Sequence, residues 1–267
     1  MQHSRSGPFS MAGGDLAQIA AATLDRLRTR GPRVHCITNS VAQNFTANML
    51  LAAGCVPAMT LSAEEIGGFV ARSQAVLVNL GTFDRDRREA TEIAVQTAAQ
   101  NNVPWLLDPV FVDRSAPRAA FAQSLMARKP AVLRLNHAEF AALAGHEPAH
   151  AALTAYARVQ NTVIGLSGAT DLVADGNRLA SIGNGHPLMA KVTAMGCAAS
   201  ALITACLGVE PDAWRATVAG LVIIGVAGEL AAAKSEGPGS FAVAILDTIN
   251  NLDGQTLVNH ARVNLLD

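Results

Sequence analysis

A short run near residue 195 has the makings of an anion site. Val192-Thr193-Ala194-Met195-Gly196-Cys197 is a turn of small residues that feeds an apolar helical stretch from Ala198. A helix start offers backbone N–H groups without intrahelical partners and the positive end of the helix dipole. Both suit phosphate oxygens, above all the charge that develops as a phosphoryl group transfers. Cys197 falls in the first turn, where a thiol pKa is expected to drop. The competing reading is an ordinary tight turn with a buried cysteine. The run fits neither G-x-G-x-x-G nor a Walker loop.

Three further groups have chemical potential. Asn136-x-x-Glu139 places an amide and a carboxylate on one face of a helix start. Such a pair can hold magnesium through waters, or it can simply be a capping box. Asp108-Pro109-Val110 follows a buried strand, and its carboxylate could help hold a metal or receive a proton. Asn184-Gly185-His186-Pro187-Leu188-Met189 reads as a loop after a hairpin, and no role is assigned to His186.

The elements that must position these residues alternate along the chain. Gly14–Arg30 carries Leu16, Ile19, Ala20, Leu24 and Leu27 at helical spacing. Strands are predicted at Val34–Thr38, Val56–Leu61, Ala75–Leu80, Trp105–Leu107, Ala131–Leu135 and Thr162–Leu166, with helical patterns between them. Leu172–Ala174 and Leu179–Ile182, separated by Asp175-Gly176, read as a hairpin, and the chain after Gly196 reads as helical almost to its end. This order predicts right-handed βαβ crossovers and a three-layer α/β/α fold around a mostly parallel sheet. Ligands of open α/β sheets bind outside the carboxyl ends of the strands. Here those ends carry Thr38-Asn39, Leu80-Gly81-Thr82, Asp108-Pro109, Leu135-Asn136 and Ser167-Gly168.

Composition narrows the function classes. Half of the 267 residues are apolar and only 4% aromatic, so Ala, Val, Leu and Ile must build the core. The formal net charge of −1 and the lack of a basic tract argue against nucleic acid as a partner, and no membrane partner is indicated. Cys36, Cys55, Cys197 and Cys206 have no C-x-x-C spacing, which suits reduced thiols in a cytoplasmic protein. The longest apolar runs, Ala216–Gly228 and Cys197–Val209, fall short of a span of about 18 residues. Residues 1–13 lack the apolar core of a signal peptide and read as a flexible N-terminal tail before one domain over 14–267.

Together the segments resemble the hydroxyethylthiazole kinase family. Val34–Asn39 matches its Val-His-Cys-Ile-Thr-Asn stretch, and Leu51-Ala52-Ala53-Gly54-Cys55-Val56-Pro57-Ala58-Met59 its Leu-Ala-x-Gly-x-x-Pro-x-Met run. Asn79-Leu80-Gly81-Thr82, Asp108-Pro109-Val110, Arg134-x-Asn136-x-x-Glu139, Ser167-Gly168 and Asn184-Gly185-His186-Pro187 with Thr193-x-x-Gly196-Cys197 follow in the same order. The resemblance implies a ribokinase-like sheet, ATP as cosubstrate, Mg²⁺ as cofactor, and a homotrimer with sites at subunit boundaries. It implies phosphorylation of the primary alcohol of hydroxyethylthiazole in thiamine biosynthesis or salvage. Position by position, it places Met59, Asn39, Val41 and Ala194 at the thiazole and Arg134 and Ser167 at ATP. Asp108, Asn136 and Glu139 would face the metal and phosphates, Gly196 the transferring phosphoryl group, and Cys197 the substrate hydroxyl.

Two departures stand out. Ala194-Met195 replaces the usual Gly-Thr, and Phe111-Val112-Asp113-Arg114-Ser115 replaces a glycine- and alanine-rich run. The alternatives are a kinase of another small alcohol, of the hydroxymethylpyrimidine or pyridoxal type, and a non-catalytic thiazole-binding relative.

Overall fold

Each strand of the inner sheet is a short apolar run because both of its faces are covered. Along Ala75–Asn79 (β3), Leu77 enters the core on one side while Val76 and Val78 enter the core on the other. Such double burial is expected of parallel strands with helices on both faces. The computed structural model describes residues 13–266. The predicted tail, apart from Gly13, lies outside the described residues; Gly13 opens the first helix, α1 (Gly13–Arg30).

Among the described residues, nine strands make one sheet in the order β2-β1-β3-β4-β5-β6-β7-β8-β9. β1 (Arg33–Ile37), β2 (Val56–Ala58), β3, β4 (Trp105–Asp108), β5 (Val132–Asn136) and β6 (Val163–Ser167) run parallel. β7 (Asp171–Ala174), β8 (Leu179–Ile182) and β9 (Val263–Leu266) continue the sheet antiparallel. One face carries α1, α2 (Gln43–Ala52), α8 (Met195–Leu207), α9 (Ala213–Ala232), α10 (Pro238–Asn251) and α11 (Gly254–His260). The other carries α3 (Ile66–Val70), α4 (Arg85–Asn101), α5 (Ala116–Met126), α6 (His137–Ala144) and α7 (His150–Gln160). The three-layer α/β/α arrangement around a mostly parallel sheet, expected from the alternation, is present.

Three local expectations are corrected. β2 ends at Ala58 rather than Leu61, since it is an edge strand paired only with β1 and Pro57 brings no N–H to the ladder. Helices do run almost to the end, to His260, but the reading omits β9, which completes the sheet against β8, with Gly183 N–H donating to Arg262 C=O beside it (2.8 Å). By length and composition α9 could cross a membrane, beyond the Ala216–Gly228 run marked in the sequence, yet 78% of its apolar window is buried inside this fold. It packs against α8 so closely that a Cβ on Gly220 would stand 2.8 Å from the Cα of Ile203.

Candidate active site

The carboxyl ends of β1, β3 and β4 are tied together by side chains of the last residue in each strand or just past it. Asn79 and Asp108 are register partners in adjacent strands, and Asn79 Nδ2 donates to Asp108 Oδ2 at 2.7 Å. Ser200, on the first turns of α8, donates to the same oxygen at 2.7 Å. Asp108 Oδ1 is buried without a hydrogen-bond partner. Burial raises the Asp108 pKa despite the opposing charge of Arg134 and the bonds from Ser200 and Asn79. Asn79 Oδ1 in turn accepts from Gly81 N–H (2.9 Å). A Cβ on Gly81 would lie 2.8 Å from both the Asn79 Oδ1 and the Asn39 Cβ, so the strand end needs glycine there. Asn39 Oδ1 accepts from Val41 N–H (3.1 Å) and from the Thr82 hydroxyl (3.2 Å).

The second component is the start of α8. Its N-cap, Ala194, has φ 73° in the left-handed region and offers no capping side chain. That is the backbone for which a glycine was expected, and alanine adopts it at a cost of about 1–2 kcal/mol. The helical ladder begins with Ala198 N–H to Ala194 C=O (2.9 Å), so the N–H groups of Gly196 and Cys197 precede it. Arg134 Nη1 would be 3.3 Å from a Cβ on Gly196, which places the guanidinium against the helix start. Arg134 forms no ion pair among the described residues, and its Nε is buried without a partner. The Cys197 thiol receives a bond from Asn79 Nδ2 (3.4 Å). Its pKa is pushed up to about 11 by burial and then by the Asp108 charge. The drop expected from its place in the first turn is therefore corrected: desolvation outweighs the helix dipole.

The third component is the start of α6. Asn136 Oδ1 accepts from Glu139 N–H (3.0 Å) and Glu139 Oε2 from Asn136 N–H (2.9 Å), a complete capping box. Glu139 Oε1 also accepts from Phe111 N–H (3.1 Å), whose residue has φ 64°. Burial and then the charge of Asp108 raise the Glu139 pKa. Asn136 and Glu139 thus do the structural work the capping alternative predicted, and they do it beside Asp108.

Arg134, Ser167, Gly168, Met195 and Gly196 line one cavity of about 560 Å³, together with Leu221 and Ile224 of α9 and the loop around Asn184. The cavity therefore brings the two predicted ATP residues to the predicted phosphoryl site. Asp108, Glu139 and Cys197 lie next to it through the bonds and charges above. Asn39 joins through Asn79 and Gly81. Met59 follows the edge strand β2 and is partly buried, and Val41 is 68% exposed; neither side chain is hydrogen-bonded to the Asp108 group. Two contributors carry no assignment in the sequence reading. Asn79 is quoted there only as part of a motif, although its register with Asp108 follows from adjacent strands ending together. Ser200 stands three residues after Cys197, the spacing that shares a helix face.

A divalent cation can be tested against these residues. Among the described residues no cluster of three His, Cys, Asp or Glu side chains forms a closed cage. Magnesium does not need one: it keeps several waters and takes one or two carboxylates plus substrate phosphates. The unpartnered Asp108 Oδ1 and the mutually repelling Asp108 and Glu139 fit that mode.

The fold and this strand-end site are those of a ribokinase-like α/β kinase. A ribokinase-like superfamily protein from Enterococcus faecalis superposes with a TM-score of 0.69 over 94% of this chain and 100% of that one, at 10% identity, a likeness of fold alone. A model of the hydroxyethylthiazole kinase family matches residues 24–255. A probable hydroxyethylthiazole kinase of Agrobacterium fabrum is 42% identical over 247 residues, 92% of this chain and 95% of that protein. The hydroxyethylthiazole kinase of Cronobacter sakazakii is 39% identical over 86% of this chain and 92% of its own. The solved hydroxyethylthiazole kinase of Pyrococcus horikoshii superposes with a TM-score of 0.89 at 33% identity, covering 94% and 100% of the two chains. This chain belongs to the hydroxyethylthiazole kinase family.

Proposed function

We propose that this chain transfers the γ-phosphoryl group of ATP to the primary alcohol of hydroxyethylthiazole in thiamine biosynthesis or salvage. The observation that carries the reading is the uncapped start of α8, with Arg134 against Gly196, opening on a cavity beside Asp108 and Glu139. The free N–H groups of Gly196 and Cys197 and the Arg134 guanidinium receive the charge on the transferring group. Asp108 and Glu139 would hold Mg²⁺, which when bound would supply neutralisation of phosphate charge. Cys197, protonated at neutral pH, orients the hydroxyl rather than removing its proton. Loose phosphoryl transfer draws mainly on positioning and electrostatics, so no strong base is required. Ser167 borders the nucleotide, and Asn39, Val41, Met59 and Ala194 border the thiazole.

Val41 and Leu51, beside or on α2, and Val56 on edge strand β2 are exposed apolar side chains. Their exposure supports a homotrimer in which a neighbour completes the thiazole end, and a cytoplasmic setting goes with ATP as cosubstrate. The reading is tested by ADP formation with Mg²⁺ and ATP on hydroxyethylthiazole, hydroxymethylpyrimidine and pyridoxal. Turnover is expected on the thiazole alcohol at least about tenfold faster than on the others. Faster turnover of another alcohol moves the assignment within the fold. Tight thiazole binding with no ADP released, as the Ala194-Met195 departure suggests, replaces the enzyme with a binding protein.

A further inference from the structure

One wall of the cavity is a loop, and it is fastened by Glu229 and Arg262, which are not among the residues lining the cavity. Asn184, Gly185, His186, Pro187 and Met189 form that wall of the cavity that Arg134 and Ser167 also line. The wall lies directly on α9. A Cβ on Gly225 would meet the Asn184 carbonyl oxygen at 2.9 Å and its Cβ at 2.8 Å, and one on Gly228 would meet Met189 Sδ at 2.6 Å. Two glycines one turn apart thus set how deeply the loop sits.

Glu229, the next residue on α9, fastens it. Its Oε1 accepts from Gly185 N–H (2.7 Å) and its Oε2 from Asn184 Nδ2 (3.2 Å). Asn184 is buried and also donates to His260 C=O (2.9 Å), while its Oδ1 accepts from Arg262 N–H (2.6 Å). Arg262 closes the network with its guanidinium: Nη1 donates to Glu229 Oε2 (2.9 Å), Nη2 to Glu229 Oε1, and Nη2 to Gly183 C=O (2.6 Å). Arg262 directly precedes β9, so the last strand of the sheet anchors a cavity wall that begins some eighty residues earlier.

We propose that Glu229 and Arg262 are a positioning pair that sets the nucleotide-binding width of the cavity by clamping the 184–190 wall between α9 and β9. The inference rests on the cavity being the nucleotide site. The clamp acts on the nucleotide side because its wall lines the same cavity as Arg134 and Ser167, while the exposed Val41 and the edge strand β2 lie at the far end of the sheet order. Loss of the Glu229 carboxylate leaves the Gly185 N–H without its acceptor and the Asn184 amide with only His260 C=O, which lets the wall move without touching Asp108, Gly196 or Cys197.

The test uses the full chain and ADP as the probe. ADP affinity, the KM for hydroxyethylthiazole, thermal midpoint and amide exchange of residues 184–190 are measured for wild type, Glu229→Ala, Glu229→Gln and Arg262→Ala. Glu229→Ala is expected to weaken ADP about tenfold, with faster exchange at 184–190 and the alcohol KM within about twofold. Glu229→Gln keeps one of the two oxygen acceptors and turns an NH2 toward the donors of the other, so it should recover only part of the affinity. Should Glu229→Ala fail to fold, Arg262→Ala alters a more exposed side chain and should still weaken ADP about threefold. Faster exchange with unchanged ADP affinity overturns the proposal, as does a common loss of both substrates that tracks the thermal midpoint. Failure of wild type to bind ADP sinks the nucleotide reading itself, and the clamp with it, a result distinct from a variant that binds like wild type.

Discussion

Helices α8 and α9 are neighbours, both apolar and both deep in the same core, yet they begin in opposite ways. α9 is closed by its own chain: Asp212 accepts from Trp214 N–H (3.0 Å) and Arg215 N–H (3.3 Å) and is paired with Arg178, which lies 4.5 Å from the Trp214 ring. Burial would raise the Asp212 pKa, but the Arg178 and helix N–H bonds outweigh it and hold it low. α8 begins at Ala194 with no cap, a left-handed backbone and open N–H groups facing a cavity. α2 and α7 also begin without a side-chain cap, so what sets α8 apart is its left-handed N-cap at Ala194 and the place of Gly196 in the cavity lining. The difference is what the reading of the α8 start as a phosphoryl site predicts.

The largest expected effect tests the acidic side of the open end. The fold raises the Asp108 pKa, so the ionised carboxylate destabilises the native state at neutral pH. That cost disappears as pH falls through the ordinary aspartate range near about 3.9. Asp108→Asn should therefore raise the thermal midpoint at pH 7 by about 2–4 °C. The same variant should lower kcat at least about 100-fold, read by calorimetry and ADP formation together. A variant that is both less stable and fully active would show that Asp108 is merely structural.

Cys197→Ser comes next, with a fall of about three- to tenfold in kcat. Because the thiol pKa lies at about 11, kcat should stay flat from pH 7.5 to 9.5 in wild type and variant alike. A tenfold rise per pH unit that vanishes in the serine variant would make Cys197 an obligatory base. The smallest effect is on the backbone of the open end: Ala194→Gly relieves φ 73° and should raise the thermal midpoint by about 1–3 °C. No gain there would mean that the turn carries no strain for glycine to release.

The comparison also shows what a sequence discloses and what it withholds. The strands were legible because parallel strands buried on both faces must be short apolar runs, as in Ala75–Asn79 and Val132–Asn136. The strand-end residues Asp108 and Asn136 were legible for the same reason, since they fall where those runs stop, whereas Asn79 fell inside the predicted strand Ala75–Leu80 and stood out only as part of a motif. The capping box at Asn136 and Glu139 is a local pattern and was readable as such. The Cys197 pKa was misjudged because the helix dipole is written locally, whereas burial beside Asp108 depends on how α8 meets β4. β9 escaped because Val263–Leu266 has an edge strand's brevity and gains its partner, β8, only through the tertiary fold. The loop at Asn184 looked like an ordinary connection, since its support comes from Gly225, Gly228, Glu229 and Arg262, all distant in the chain.

One paired assay reaches the central claim most directly: ADP formation with hydroxyethylthiazole, ATP and Mg²⁺ in Gly196→Ala and in Asp212→Ala. A methyl group on Gly196 would crowd Arg134 Nη1 at 3.3 Å and intrude on the open end, so kcat/KM should fall at least about 30-fold. Removing the Asp212 cap should cost about 0.5–2 kcal/mol of stability and leave kcat/KM within about twofold. Wild-type turnover in Gly196→Ala, or equal losses in the two variants, would contradict the assignment of the α8 start as the phosphoryl site.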